Sequence, residues 1–390
     1  MTLLLDTCVF IWLTQEPAKL SAVAQTAIND PANTLAFSHA SAWEMHLKHH
    51  AGKLSLPDPP RPPVRLPESA PTLSSLLSDD LGGMITTPEA WTRRRRHWLQ
   101  QWQACLGPFP TGKAPLKTEV LATEELPDFV RQRIRYQIED GVTADAYLLT
   151  PRRTVGTLPA MVVFHQTTRT NARQAAGVDA SIPELMHGVH LVRRGYIVLC
   201  PRCFIFDEDA FEAIGFARNV ERMQQRHPDW TGMTRMTWDA IRAVDFLESL
   251  PGVDRNRIGG IGHSLGAKEV LYAAAFDARY KAVVYNDGGI GLNFNNWKAV
   301  WYLGPQISAP GFALEHHQVM ALIAPRAFLF LAGEAEDGDR SWPFVESVLP
   351  LYHLLGAERS IGWFNHRAGH RYPPAAQAVA EAFLDAHLKL

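Results

Sequence analysis

The chain has 390 residues, of which 46% are hydrophobic and 20% charged, the balance of an ordinary globular protein. Its net charge of -2 gives no footing for a nucleic acid or an anionic membrane as partner. No apolar run approaches the roughly 20 residues needed to span a bilayer.

The length allows one large domain with an appendage. The four cysteines, Cys8, Cys105, Cys200 and Cys203, make no disulfide framework in a chain of this size. The apolar start lacks a basic lead and contains Asp6, so a secretory signal is not expected and a cytoplasmic location is.

Three regions follow in order. Residues 1–56 open on Leu3, Leu4 and Leu5, with helical patterns around Ser21–Ile28 and Ser41–His50 and a short apolar run, Leu35–Phe37, between them. Residues 57–72 are rich in proline and read as an extended linker. From 73 to 390, strand-like and helix-like patterns alternate, which predicts an α/β sheet with helices on both faces.

Six buried parallel strands are expected there: Pro159–Phe164, Tyr196–Cys200, Arg257–Gly262, Lys281–Tyr285, Arg326–Leu331 and Ser360–Phe364. Trp238, Ile241, Val244 and Leu247 recur at helical spacing, and another helix continues through Val270 and Leu271. Trp91–Gln103 reads as an exposed helix, its run Arg93 to Arg96 as a solvated face.

Between the third strand and the Ala-rich helix stands Gly262-His263-Ser264-Leu265-Gly266, a G-x-S-x-G motif. A serine hydroxyl becomes a useful nucleophile when a tight strand-to-helix turn projects it towards a base. The flanking glycines relieve the crowding of that turn. The first amide of the new helix, that of Leu265, is then aimed at a developing oxyanion.

The segment from His227 to Asp277 resembles the nucleophile region of bacterial α/β-hydrolases near the acetyl xylan esterase and dienelactone hydrolase families. RAFLFLAGEAEDGDRSWPF and NHRAGHRYPPAAQAVAEAFLDAHL resemble their last strands, so the likeness covers about residues 73–390. It implies the α/β-hydrolase fold, with a nucleophile, an acid and a histidine in that chain order. His366 and His370 both lie after the last strand, and the family places its catalytic histidine at the position of His370, before the C-terminal helix.

The loop after Arg326–Leu331 offers Glu334, Glu336, Asp337 and Asp339 as the acid. The aspartate of an A-D-G-D-like stretch fills this role in the related enzymes, which points to Asp337, with Asp339 and Glu336 as alternatives. Asp287 is a further alternative, because some members of the fold take their acid from that strand. The second oxyanion donor is expected from the amide of Gln166, and His165 resembles the family's structural histidine. His316 and His317 read as structural.

Cys200 and Cys203 form a C-x-x-C that reads as two thiols on a loop rather than a zinc site. Trp297, Trp301 and Trp342 are candidates to rim the pocket and stack on a sugar or aromatic group. The opening LLLDTCVFIWL and SHASAWEMHLKHHAGKLSLP resemble the start of PIN-domain ribonucleases, whose metal-holding carboxylates match Asp6 and Glu44. That likeness stops at about Pro57, and a truncated, non-catalytic remnant is expected. The reading is therefore a serine esterase acting on a small-molecule ester, with no metal or organic cofactor. A metal-dependent ribonuclease and an inactive hydrolase-fold binding protein are the alternatives.

Overall fold

The computed structural model describes residues 2–15, 19–30, 33–38, 41, 62–79, 82–152, 156–206 and 213–389. Near the N-terminus, β1 (Thr2–Leu5) and β2 (Thr34–Phe37) pair in parallel. Between them run α1 (Thr7–Gln15) and α2 (Ala22–Asn29). Ser21 caps α2 by accepting the Ala24 amide at 3.2 Å, which agrees with the helical pattern read there. The expected helix Ser41–His50 lies outside the described residues except for Ser41. Residues 62–72 contain no helix or strand.

The main sheet has nine strands in the order β11-β10-β9-β8-β6-β7-β5-β4-β3. All six expected strands are present and parallel: β6 (Leu158–Phe164), β7 (Ile197–Pro201), β8 (Val253–His263), β9 (Tyr280–Asn286), β10 (Ala327–Ala332) and β11 (Ile361–Asn365). Each is an apolar run because helices cover both of its faces. Three antiparallel strands absent from the sequence reading extend the sheet: β3 (Glu119–Glu125), β4 (Phe129–Glu139) and β5 (Val142–Pro151).

On one face pack α3 (Pro88–Leu106), α6 (Gly232–Ser249), α7 (Leu265–Phe276), α8 (His316–Ile323) and α9 (Trp342–Leu354), while α5 (Ala213–Arg226) contributes Val220 and Met223. On the other lie α4 (His187–Arg193) and α10 (Pro374–Leu388), and β2 rests against α10. This is the α/β-hydrolase fold. The chain order reverses direction at β6, whose neighbours are β7 and β8, and the C-terminal ends of such strands open the crevice where ligands bind.

The expectation of an exposed helix at 91–103 needs correcting. Trp91, Trp98, Trp102 and Leu106 form a buried stripe along α3. Trp102 stacks on His316 at 5.5 Å and meets Tyr272 edge-on at 5.8 Å. Of the arginine run, Arg95 donates to the Leu322 carbonyl at 2.9 Å and Arg94 lies over the Trp98 ring at 4.2 Å, so Arg93 and Arg96 alone keep the solvated role. Trp102→Ala is expected to cost about 3–5 kcal/mol, against about 0.5 kcal/mol or less for Arg93→Ala. Urea unfolding of the two variants checks this.

Candidate active site

Ser264 ends β8 and starts α7 at φ 58 and ψ -115, a conformation that costs a non-glycine residue about 1–3 kcal/mol. The turn leaves no room beside it. A Cβ on Gly262 would lie 1.9 Å from the Gly266 carbonyl oxygen, and one on Gly266 would lie 2.0 Å from that of Phe164. The Ser264 amide donates to the Asn286 carbonyl at 2.9 Å, fastening the turn to the end of β9.

The Ser264 hydroxyl lies 2.9 Å from Nε2 of His370, and Nδ1 of His370 lies 2.6 Å from Oδ2 of Asp287. A carboxylate accepts, so Nδ1 carries the proton and Nε2 is free to accept from serine. Burial lowers the imidazole's pKa, but the hydrogen bond and charge of Asp287, helped by Glu336 and Asp337, more than offset this, and it ends above its ordinary value. Asp287 is wholly buried at φ 47, and its Oδ1 accepts the amides of Gly333, Glu336 and Asp337 at 3.1, 3.3 and 3.1 Å.

The carboxylate that meets the histidine is therefore Asp287, not Asp337. Asp337 is buried too, but it accepts the amides of Gly289 and Ile290 and the Ser341 hydroxyl. Burial and the neighbouring charge of Asp287 push its pKa up to about 7. Asp339 is taken up by Arg367 at 2.8 Å and Asn365 at 2.8 Å, and Glu334 by the same two residues. Glu336 offers Asp287 its amide.

A signal for Asp287 was present in Asn286-Asp287-Gly288-Gly289, a carboxylate on a glycine turn at the C-terminal end of a buried strand.

Leu265 opens α7, where the first amides have no intrahelical acceptor, and Gln166 is the second residue beyond β6. Phe164 and Gly262 are partners across β6 and β8, so the two amides sit at the ends of adjacent strands. The Gln166 side chain donates to Gln174, which ties this loop down. His165 is buried, bonding through Nδ1 to the Gln166 carbonyl at 2.7 Å and accepting the Cys203 amide on Nε2 at 3.1 Å; burial holds it neutral, with a pKa of about 4.

His366 accepts the Ala368 amide at 3.2 Å, and burial lowers its pKa to about 4. His316 bonds the Ile290 carbonyl and Tyr272, and His317 lies 3.3 Å from Ser74.

Cys200 and Cys203 are buried free thiols. Trp297 and Trp342 are core residues, not a pocket rim, and Trp301 packs on Phe216 and Tyr302. Asp6 caps α1 by accepting the Val9 amide at 2.7 Å, and Glu44 lies outside the described residues. No group of three metal-ligating side chains occurs among the described residues, nor is any described helix long and apolar enough to cross a membrane.

The sequence reading missed Lys268, one turn beyond Ser264. It is buried over the Trp297 and Tyr302 rings at 4.6 and 4.5 Å, with Nζ 2.5 Å from Asn296 Oδ1. Burial lowers its pKa to about 7 against the opposing charges of Glu336 and Asp337. A lysine inside an Ala-rich apolar helix was the available signal. A cavity of about 860 Å³ lined by Leu99, Trp230 and Gln306 lies elsewhere, and its lining includes none of Ser264, Asp287 and His370.

The sequence profile of the Dienelactone hydrolase family matches residues 144–301. The putative hydrolase YtaP of Bacillus subtilis is 27% identical over 239 residues, covering 58% of this chain and 77% of that protein. A carbohydrate esterase, MZ0003, from an unknown prokaryotic organism is 22% identical over 70% of this chain and 76% of its own length. Among solved structures, a glucuronoyl esterase from Solibacter usitatus superposes with a TM-score of 0.65 at 19% identity, covering 83% of this chain and 99% of that one. With the family match, the fold and the site geometry, the chain is a carboxylic-ester hydrolase.

The titration of His370 yields a test. Its neutral form is the one able to accept a proton, so kcat/KM should rise with pH through the imidazole's pKa. Because that pKa is raised, the midpoint is expected above the ordinary 6.5. Asp287→Asn removes the stabilising charge and should move the midpoint down. A pH–rate profile of each protein measures both.

Proposed function

We propose that this protein hydrolyses carboxylic esters of carbohydrates, uronate esters foremost, through a Ser264–His370–Asp287 triad and an acyl-enzyme. The observation that carries the proposal is the unbroken chain of hydrogen bonds from the Ser264 hydroxyl through His370 to a buried carboxylate, at 2.9 and 2.6 Å, on a strained strand-to-helix turn. His370 takes the serine proton as Oγ attacks the acyl carbon, and Asp287 stabilises the imidazolium that forms. The amides of Leu265 and Gln166 receive the oxyanion. His370 then protonates the leaving alcohol, and a water activated by the same imidazole releases the acid.

The names of the carbohydrate and glucuronoyl esterases similar to this chain support the substrate class.

Ser264→Ala is expected to lower kcat by about 10⁶ and to abolish labelling by a fluorophosphonate. A variant keeping a tenth of the turnover would sink the assignment. Alkyl glucuronate esters should exceed acetylated sugars and p-nitrophenyl acetate in kcat/KM, and a reversed order on this panel removes the uronate preference.

The segment 1–56 is proposed as an accessory without catalytic duty. Deleting residues 1–60 should leave esterase kcat within about three-fold, because the reacting groups and the contacts described for them all lie beyond residue 60. A Mg²⁺-dependent ribonuclease activity lost on Asp6→Asn would contradict this.

A further inference from the structure

Asp287 and Asp337 hold each other's loops. Oδ1 of Asp287 accepts the amides of Gly333, Glu336 and Asp337, all on the loop after β10. In return, Asp337 accepts the amides of Gly289 at 3.0 Å and Ile290 at 2.7 Å, two and three residues beyond Asp287. Ser341 donates to the same carboxylate at 2.8 Å and sets its orientation.

The carbonyls of the Asp287 loop are held separately. The Trp297 indole donates to Gly289 at 2.6 Å, and His316 Nδ1 lies 2.5 Å from the Ile290 oxygen. Asp287 itself stands at φ 47, in the left-handed region, where a non-glycine residue stays only if its surroundings over-determine it. A small rotation there would swing Oδ2 away from His370 Nδ1.

We propose that Asp337 is the positioning residue for the catalytic acid: by binding the amides of Gly289 and Ile290 it fixes the backbone from which Asp287 presents Oδ2 to His370. This rests on the reading of Asp287 as the acid. A carboxylate is the side chain for this place because both of its oxygens accept. The Asp337→Asn amide can replace one of them, but its NH₂ would meet an N–H donor.

The test is a cycle of four full-length proteins, namely wild type, Asp337→Asn, Asp287→Asn and the double variant, assayed for kcat and KM on p-nitrophenyl acetate. Asp337→Asn should lower kcat by roughly 10- to 100-fold with KM within about three-fold, the effect of a misplaced catalytic group. Asp287→Asn should lower it by about 10⁴. A residue acting through Asp287 has nothing left to position once that acid is gone, so the double variant should match Asp287→Asn within about three-fold.

Losses that multiply in the double variant would show an independent structural role and overturn the proposal. So would an unchanged kcat in Asp337→Asn, or a loss there exceeding that of Asp287→Asn, which would make Asp337 the acid. Retained turnover in Asp287→Asn would instead defeat the triad reading, whatever Asp337→Asn does. If Asp337→Asn fails to fold, Ser341→Ala serves. It loosens the Asp337 carboxylate without removing it and should lower kcat about two- to five-fold, an effect that should vanish in the Asp287→Asn background. Its persistence there, or its absence in the otherwise native protein, overturns the proposal equally.

Discussion

The serine turn is the constraint from which the rest of the site follows. Ser264 adopts a backbone conformation unfavourable for its type, and neither flanking position has space for a side chain. Such a turn persists because a buried strand and a buried helix leave it nowhere to relax. The close approach of Gly266 to the Phe164 carbonyl also sets the spacing between Ser264 and the loop after β6. The Ser264 amide, bonded to the Asn286 carbonyl, sets the spacing to the acid one residue further on.

Electrostatics then set one histidine apart. His165, His187, His263, His316 and His366 are each pushed below the ordinary histidine pKa, burial being the largest cause in every case. His263 lies 4.6 Å from His370, ring to ring, and a charge on it would oppose the imidazolium of the reaction. Kept neutral, these rings fill space, and those of His165, His263, His316 and His366 also bond backbone. His370, by contrast, has the carboxylate of Asp287 at 2.6 Å, and its pKa moves up.

What the sequence disclosed follows from what burial does to a residue pattern. Six parallel strands were legible because double-sided burial leaves uninterrupted apolar runs. The antiparallel strands were not. Glu119–Glu125 is mostly exposed, and Phe129–Glu139 carries three arginines that pair along its length with Glu124 and Asp145. The arginine run of α3 likewise masked a stripe of three tryptophans.

Motif and chain order pick out Ser264 and His370, the pair that lies at hydrogen-bond distance. They do not decide between Asp287 and Asp337, because β9 and β10 pair in register up to Asn286 and Leu331 and their loops leave the sheet side by side. Two carboxylates so placed satisfy the same pattern. The hydrogen bonds of each, not its residue type, assign it.

The aromatic residues near the site belong to the same logic. Trp297 is fully buried, so its ring is not a platform for a sugar, and its indole N–H goes to the Gly289 carbonyl of the acid loop. Its ring meets those of Tyr302 and His316 at tilted angles, and His316 reaches the next carbonyl, that of Ile290. Trp102 of α3 also stacks on His316. A continuous series of ring contacts and hydrogen bonds therefore runs from an outlying helix to the turn bearing Asp287. Close-packed side chains transmit displacement rather than absorb it, so the rigidity of the acid is a property of the core as much as of the site.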